Sequence, residues 1–505
     1  MRQRFWLGTA ALVVILVRPA AGQFDIGDYS RILEQIDRNT RLMAHTEVPV
    51  GQRALLRYGG TLSFDFLAFD DTNQKTHVLR QTTMTGHAQL NLDGAHEFFL
   101  RARTSYLDWN TGDSFGESGP FDARTDHGDD WVEPTLDRGH YRFDLRRALQ
   151  AYEGRTIDGN LVIQGGRQLV HWANGLVLSQ EIDGGEITVS IGPWTLETVA
   201  GRTRESTTDI DSSRPGYSGD TKRGFYGGML SYALTPRHRP FVYGLVQQDD
   251  NTSDTVVTDA NGTPGDPTDD IVTRFDYDSW YVGAGATGSL GDRIAYGVEI
   301  VYQGGEGLSN SLGLPPPGGG PATQLVQTRE DIEAFAADIR IEYLFADENR
   351  TRLGFEMILA SGDDDRLTTT NTIGGNLSGT DDDAFNAFGL LNTGLAYFPN
   401  VSNLVVLRVG ASTYPFPSSP LFRRLQVGTN LFLYGKLDAD APTNEDFGVV
   451  DDERYLGFEP DLYVNWQVAS DLAVVLRYGV FIPGDAVTAD HDERHFFFSG
   501  VTIAF

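Results

Sequence analysis

From Arg53 onward, polar and apolar residues alternate with a period of two along most of the chain. In Gly60–Phe66, Leu62, Phe64 and Phe66 share one face, and Thr61, Ser63 and Asp65 share the other. Phe98, Leu100 and Ala102 alternate with Arg101 and Arg103 in the same way. So do Tyr141, Phe143 and Leu145 with Arg142, Asp144 and Arg146, and Ile339, Ile341 and Tyr343 with Asp338, Arg340 and Glu342. Such alternation predicts strands with one apolar and one polar face.

The connections sharpen this picture. Tight turns are predicted near Asp93-Gly94, Gly154–Asp158, Gly192-Pro193, Pro236–Arg239, Gly291-Asp292, Asp347–Asn349, Pro415–Pro420 and Ser470-Asp471. Between them lie longer polar segments near 110–138, 171–184, 204–222, 250–273, 305–330, 362–402, 437–453 and 484–492, with one brief connection at 70–76. Tight turns at one end and long loops at the other is the plan of a transmembrane β-barrel in an outer membrane. The spacing predicts an all-β fold, a closed antiparallel barrel of about 18 strands. An even count returns both ends of the barrel to the periplasmic side, so 384–398 is assigned to a loop. The run Pro315–Gly320 falls in another loop.

Both termini fit export. Arg2 and Arg4 precede an apolar stretch, Phe5–Val17, and small residues Ala20, Ala21 and Gly22 precede Gln23. This predicts a signal peptide over 1–22, cleaved near Gly22/Gln23. Ile32, Leu33, Ile36 and Met43 recur at helical spacing, which predicts a short periplasmic helix within 23–50 before a barrel over 51–505. The last strand carries Phe497, Val501, Ile503 and Phe505 on one face. An exposed apolar edge of that kind is hazardous in a soluble protein. It suits recognition by barrel-assembly machinery, with membrane lipid as the surrounding medium.

Composition narrows the chemistry. The 505 residues include no cysteine, which excludes disulfides, Cys-ligated zinc and thiol catalysis. The net charge of −30 and the lack of a basic stripe argue against nucleic acid. No His-Glu-x-x-His pair occurs and no catalytic triad can be assembled by spacing, so no enzyme is predicted. If apolar faces meet lipid, the polar faces line a lumen. Its candidate residues are Arg57, Arg101, Arg103, Arg142, Arg146, Arg340, Arg352, Arg408, Arg424 and Arg477, with Asp144, Glu459 and Asp461. Arginine costs about 2–4 kcal/mol on a barrel's lipid face, so the lumen is its natural place. There it either conducts anions or braces the wall against carboxylates. The acidic runs Asp363, Asp364, Asp365 and Asp381, Asp382, Asp383 are weak Ca²⁺ candidates without EF-hand spacing, beside the reading of solvated loops. No other cofactor is expected.

An ordered set of short motifs remains: Gly165-Gly166-Arg167-Gln168 with Trp172 and Asp183-Gly184, then Leu359-Ala360-Ser361-Gly362-Asp363, Gly457-Phe458-Glu459-Pro460-Asp461 and Phe481-Ile482-Pro483-Gly484. The set resembles the alginate export porin family. That resemblance implies an 18-stranded outer-membrane barrel with an arginine-lined pore for an anionic polysaccharide, and it adds Arg167 to the pore-lining candidates. The expected function is passive passage of an anionic solute or exopolysaccharide. The alternatives are a general nutrient porin and a plugged structural or adhesive surface barrel.

Overall fold

The computed structural model describes residues 54–505 apart from 71–75, 110–130, 205–206, 212–213, 215–220, 252–254, 260–269, 314–322, 367–375, 444–448, 450–451 and 488–491. The expected signal peptide, the 23–50 helix and the proline–glycine run therefore lie outside the described residues.

Eighteen strands form one sheet. In chain order they begin with β1 (Ala54–Asp70), β2 (Thr76–Leu92), β3 (His96–Trp109) and β4 (Trp131–Asp144). After the helix α1 (Leu145–Glu153) come β5 (Gly159–His171), β6 (Ser179–Ile191), β7 (Trp194–Thr203), β8 (Arg223–Tyr232) and β9 (His238–Asp249). A loop hairpin, β10 (Thr255–Asp259) with β11 (Asp270–Arg274), precedes β12 (Tyr277–Leu290) and β13 (Ile294–Leu308). A second, β14 (Leu312–Gly313) with β15 (Thr323–Gln324), precedes β16 (Arg329–Leu344), β17 (Arg352–Ala360), β18 (Leu404–Thr413) and β19 (Leu425–Gly435). The chain finishes with β20 (Tyr455–Gln467), β21 (Leu472–Pro483) and β22 (Arg494–Ala504).

Each barrel strand pairs antiparallel with its predecessor, and β22 pairs back onto β1 with Thr61 opposite Ala504. The sheet is closed. Gly60 and Phe505 exchange backbone hydrogen bonds of 2.9 and 3.0 Å at the seam. A Cβ on Gly60 would lie 2.6 Å from the Phe505 ring, so the absent side chain is what admits the terminal aromatic.

Burial is inverted relative to a soluble sandwich. Phe64, Phe98, Leu100, Val242, Val282, Ile300, Tyr302, Phe355 and Leu433 are exposed on the outer face. Glu299, Gln303, Asp338, Glu356, Glu459 and Asp461 are buried on the inner face. An apolar exterior suits hydrocarbon, and closure leaves no strand edge unsatisfied there.

The structure departs from the expected pattern at the β4–β5 connection. The alternation of Tyr141, Phe143 and Leu145 predicts a strand running through Arg146, but β4 ends at Asp144. Asp144 caps α1 instead, accepting the Arg147 N–H at 3.1 Å, and Gly154 closes the helix in the left-handed region (φ 63°). An acidic cap ahead of Leu-Arg-Arg-Ala-Leu-Gln is a helix start, and here that local signal outweighs the period of two. Arg146 therefore lies on an exposed helix at the turn end, not on the wall.

Substituting Gly60→Val overpacks the β1–β22 seam and costs about 1–3 kcal/mol. The fraction of barrel that resists unfolding in unboiled detergent gels should fall. Gly86→Val is the control, because nothing lies within 4 Å of its Cβ position.

Candidate functional site: the lumen and its constriction

Two long-loop segments fold inward. The first, 172–178, leaves β5 and reaches the wall at β13 and β16. Its Asn174 N–H donates to Glu299 (2.8 Å), its amide donates to Asp338 (2.9 Å), and its carbonyl accepts from Arg340 (2.8 Å). The second lies within 361–403. Asn386 N–H donates to Gln303 (2.9 Å) and its carbonyl accepts from the Tyr281 hydroxyl (2.6 Å). Further on, Glu459 on β20 accepts three successive N–H groups, those of Leu395, Ala396 and Tyr397, at 2.5, 2.8 and 2.8 Å. The Tyr434 hydroxyl donates to Thr393 (2.8 Å). The two segments meet where the Ser179 N–H donates to Phe388 and the Leu390 N–H to Gly175, both at 2.8 Å. A Cβ on Gly389 would lie 2.0 Å from the Leu176 carbonyl, so the crossing needs glycine. The segment 384–398 is thus a lumenal constriction and not a barrel strand.

Apolar packing holds this crossing inside the barrel. Leu176, Val177, Leu178, Phe385, Phe388, Leu391 and Tyr397 join Phe225, Tyr243, Phe432, Tyr434 and Phe481 in one buried cluster. The fill is one-sided. Inward residues of β12 to β20 such as Tyr281, Val301, Ile358, Phe432 and Glu459 are at most 2% exposed. Many inward residues of β1 to β4, including Ser63, Thr83, Thr85, His87, Phe99, Arg103, His140 and Arg142, remain partly exposed, although Leu67, Leu79, Ser105 and Asp137 are buried. The open space runs along the β1–β4 wall.

The candidate arginines fall into distinct settings. Arg340 and Arg408 form a wall network: Arg340 contacts Asp338 (2.7 Å) and Glu356 (2.6 Å), and Arg408 contacts the other Glu356 oxygen (2.7 Å). Such pairs must offset a desolvation cost of several kcal/mol per ion, and Arg340 and Asp338 also hold Asn174. Arg477 donates to Asn465 (2.7 Å) and lies over Tyr463 (5.3 Å), on the buried inner face near Asp461. Arg101 is held by Asp137, its Nε donating at 2.5 Å, within a cluster that includes Arg138, Glu181 and Arg204. Arg142 lies 3.9 Å from Asp144. Arg57 and Arg103 share the inward phase of β1 and β3 and pair with no carboxylate among the described residues. Arg352 begins β17 at the turn end, and Arg424 sits in the β18–β19 turn just before β19.

Arg167 departs from its expected setting. Its phase on β5 is that of the exposed Ile163, opposite to the buried Gln168 and Val170. It grips Asp183 through two hydrogen bonds (2.7 and 2.8 Å) and donates to the Leu136 carbonyl (2.8 Å). It is a cross-strand tie rather than a pore-lining charge, and the paired carboxylate is what offsets its cost away from the lumen.

The acidic runs do converge. Asp363 accepts N–H bonds from Asp365 (2.8 Å) and Asp383 (3.3 Å), while the buried Arg366 binds Asp382 and lies 4.0 Å from Asp363. Burial, then the adjacent Asp382, pushes the Asp363 carboxyl up to about 7. Ligand atoms of Asp363, Asp364 and Asp365 lie within 4.8 Å of one another, but Arg366 already supplies the positive charge between the two runs.

Sequence reasoning overlooked Asn174, Glu299, Gln303 and Tyr281. Glu299 and Gln303 were accessible from alternation, since Ile300 and Tyr302 mark the outer phase of β13. Asn174 carries no such signal, because its segment has no period.

The Glu459 carboxylate is the main anchor of the constriction, and losing a charged acceptor from a buried site costs about 1–3 kcal/mol. Glu459→Gln should loosen 384–398, raise single-channel conductance about twofold and expose the segment to protease. Conductance and cleavage unchanged from wild type would mean that the apolar cluster alone holds it.

A family model described as alginate export matches residues 72–498. Solved structures share the fold at low identity. OccK8 (OprE) of Pseudomonas aeruginosa aligns with a TM-score of 0.51 and 11% identity over 89% of this chain and 98% of its own. OccAB1 of Acinetobacter baumannii aligns with a TM-score of 0.51 and 12% identity over 89% and 96%. No curated protein matches the chain. The closed barrel, its apolar exterior, its polar interior and the matched family agree: this chain is an outer-membrane β-barrel porin that passes solutes, and it belongs to the alginate export family.

Proposed function

We propose that the porin conducts an anionic solute or exopolysaccharide chain, by diffusion, along the uncovered β1–β4 wall. The observation that carries this reading is the grouping of Arg57, Arg101, Arg103 and Arg142 on the strands that the in-folded segments leave open. A guanidinium and a carboxylate 4 Å apart attract by about 4 kcal/mol at an effective dielectric of 20, before desolvation is subtracted. Asp137, Asp65 and Asp144 temper the field, so the preference is graded. The reading includes a signal peptide cleaved near Gly22/Gln23 and recognition of the Phe505 strand by assembly machinery. It assigns no catalytic step.

The second reading, a plugged surface barrel, draws on the apolar cluster inside the lumen. Planar-bilayer recordings separate the two, since a plugged barrel shows no unitary conductance. For the selective porin, Arg103→Glu with Arg142→Glu should lower the anion-to-cation permeability ratio about threefold or more, and high salt should shrink the wild-type preference by screening. A double variant that folds and keeps the wild-type ratio would assign these arginines to bracing.

A further inference from the structure

At the turn end of the barrel, Glu348, Arg350, Tyr414, Pro417, Arg423 and Arg424 line a cavity of about 430 Å³. It is built by two turns, 345–351 and 414–424, that are locked together. The Tyr414 N–H donates to the Asn349 carbonyl (2.8 Å), as does the Thr413 hydroxyl (3.3 Å). Asp347 is occupied by the Thr351 N–H (2.8 Å) and hydroxyl (2.6 Å). Arg350 takes the left-handed conformation (φ 52°) and lies over the Tyr414 ring at 5.4 Å. On the other rim Phe422 stacks on Trp466 (5.1 Å), whose indole N–H donates to Leu421 (3.2 Å).

Three arginines therefore line one concave site beside a single carboxylate residue, Glu348, in a chain of net charge −30. Among the described residues no carboxylate is ion-paired with Arg350, Arg423 or Arg424. The deeper wall differs, since Arg340 and Arg408 are committed to Asp338 and Glu356. In sequence phase, Tyr414 continues the inner face of Leu404, Val406 and Arg408, and Arg424 that of Phe432 and Tyr434. Unpaired arginine forks match the planar geometry of a carboxylate.

We propose that this cavity is a carboxylate-binding site at the periplasmic mouth, which captures an acidic sugar unit before it enters the lumen. The sugar-acid assignment rests on the anionic-polysaccharide reading above; the anion site itself rests on the geometry. The probe is an acidic trisaccharide of three uronate sugars, added to the purified full-length barrel during arginine labelling with phenylglyoxal. Modification of Arg423 and Arg424 should slow about threefold or more, as expected for a bound anion. Arg155, exposed and paired with Glu153 at 3.5 Å, should label at an unchanged rate. Equal labelling of Arg423 and Arg424 with and without the trisaccharide overturns the proposal. In oriented bilayers, Arg350→Gln with Arg423→Gln and Arg424→Gln should cut the rate of current block by periplasmic-side trisaccharide about tenfold, with the anion-to-cation ratio kept. An unchanged block rate also overturns it. A wild-type barrel without anion preference, but with Arg423 and Arg424 protected, sinks the selective-porin reading and leaves this site standing.

Discussion

Hydrocarbon offers no partner for a backbone N–H or C=O, and a sheet can satisfy that condition only by closing on itself. Everything else here follows from the β1–β22 seam that achieves it. Closure through an antiparallel seam fixes an even strand number, returns both ends of the barrel to one side and sorts side chains into a lipid phase and a lumen phase. The seam depends on small details, namely a glycine at position 60 and an aromatic terminus laid across it.

Closure also creates an interior that must be filled or left wet. Most of the wall from β12 to β20 is covered by two inward segments, and the charges beneath them are spent on holding those segments. Glu299, Arg340 and Glu459 satisfy the backbone of chain that would otherwise be buried without partners, and Asp338 accepts the Asn174 side-chain amide. Lumenal arginine therefore has two separate uses. At Arg340 and Arg408 it is a structural cation with its carboxylates already in place. At Arg57 and Arg103 it faces open space without an ion-pair partner among the described residues.

The barrel itself was legible because its determinant is local: period two, turn chemistry and loop length all recur every few residues. The strand count and the loop assignment of 384–398 follow from that regularity. Legibility failed where another local signal or a long-range contact took over. Asp144 begins a helix in the middle of an alternating run. Arg167 lies in the alternate phase, tied to Asp183 on the neighbouring strand, and no motif spacing reveals a strand's phase relative to the lumen. The constriction depends on contacts such as Asn174 with Asp338 and Ala396 with Glu459, each joining an aperiodic loop to a strand residue far away in sequence.

The one-sided fill has a mechanical consequence. A passage bounded by charge on one flank and by an apolar crossing on the other behaves as a gutter rather than a tube. On the proposed reading, an acidic polymer sliding along it would touch the cationic flank with one edge only. If its acidic groups point alternately to opposite sides, every second group faces the apolar flank and finds no counter-charge. Grip per unit length is then halved relative to a ring of arginines, and no register of the chain is held much more tightly than the next. Such a shallow profile favours steady sliding over stalling.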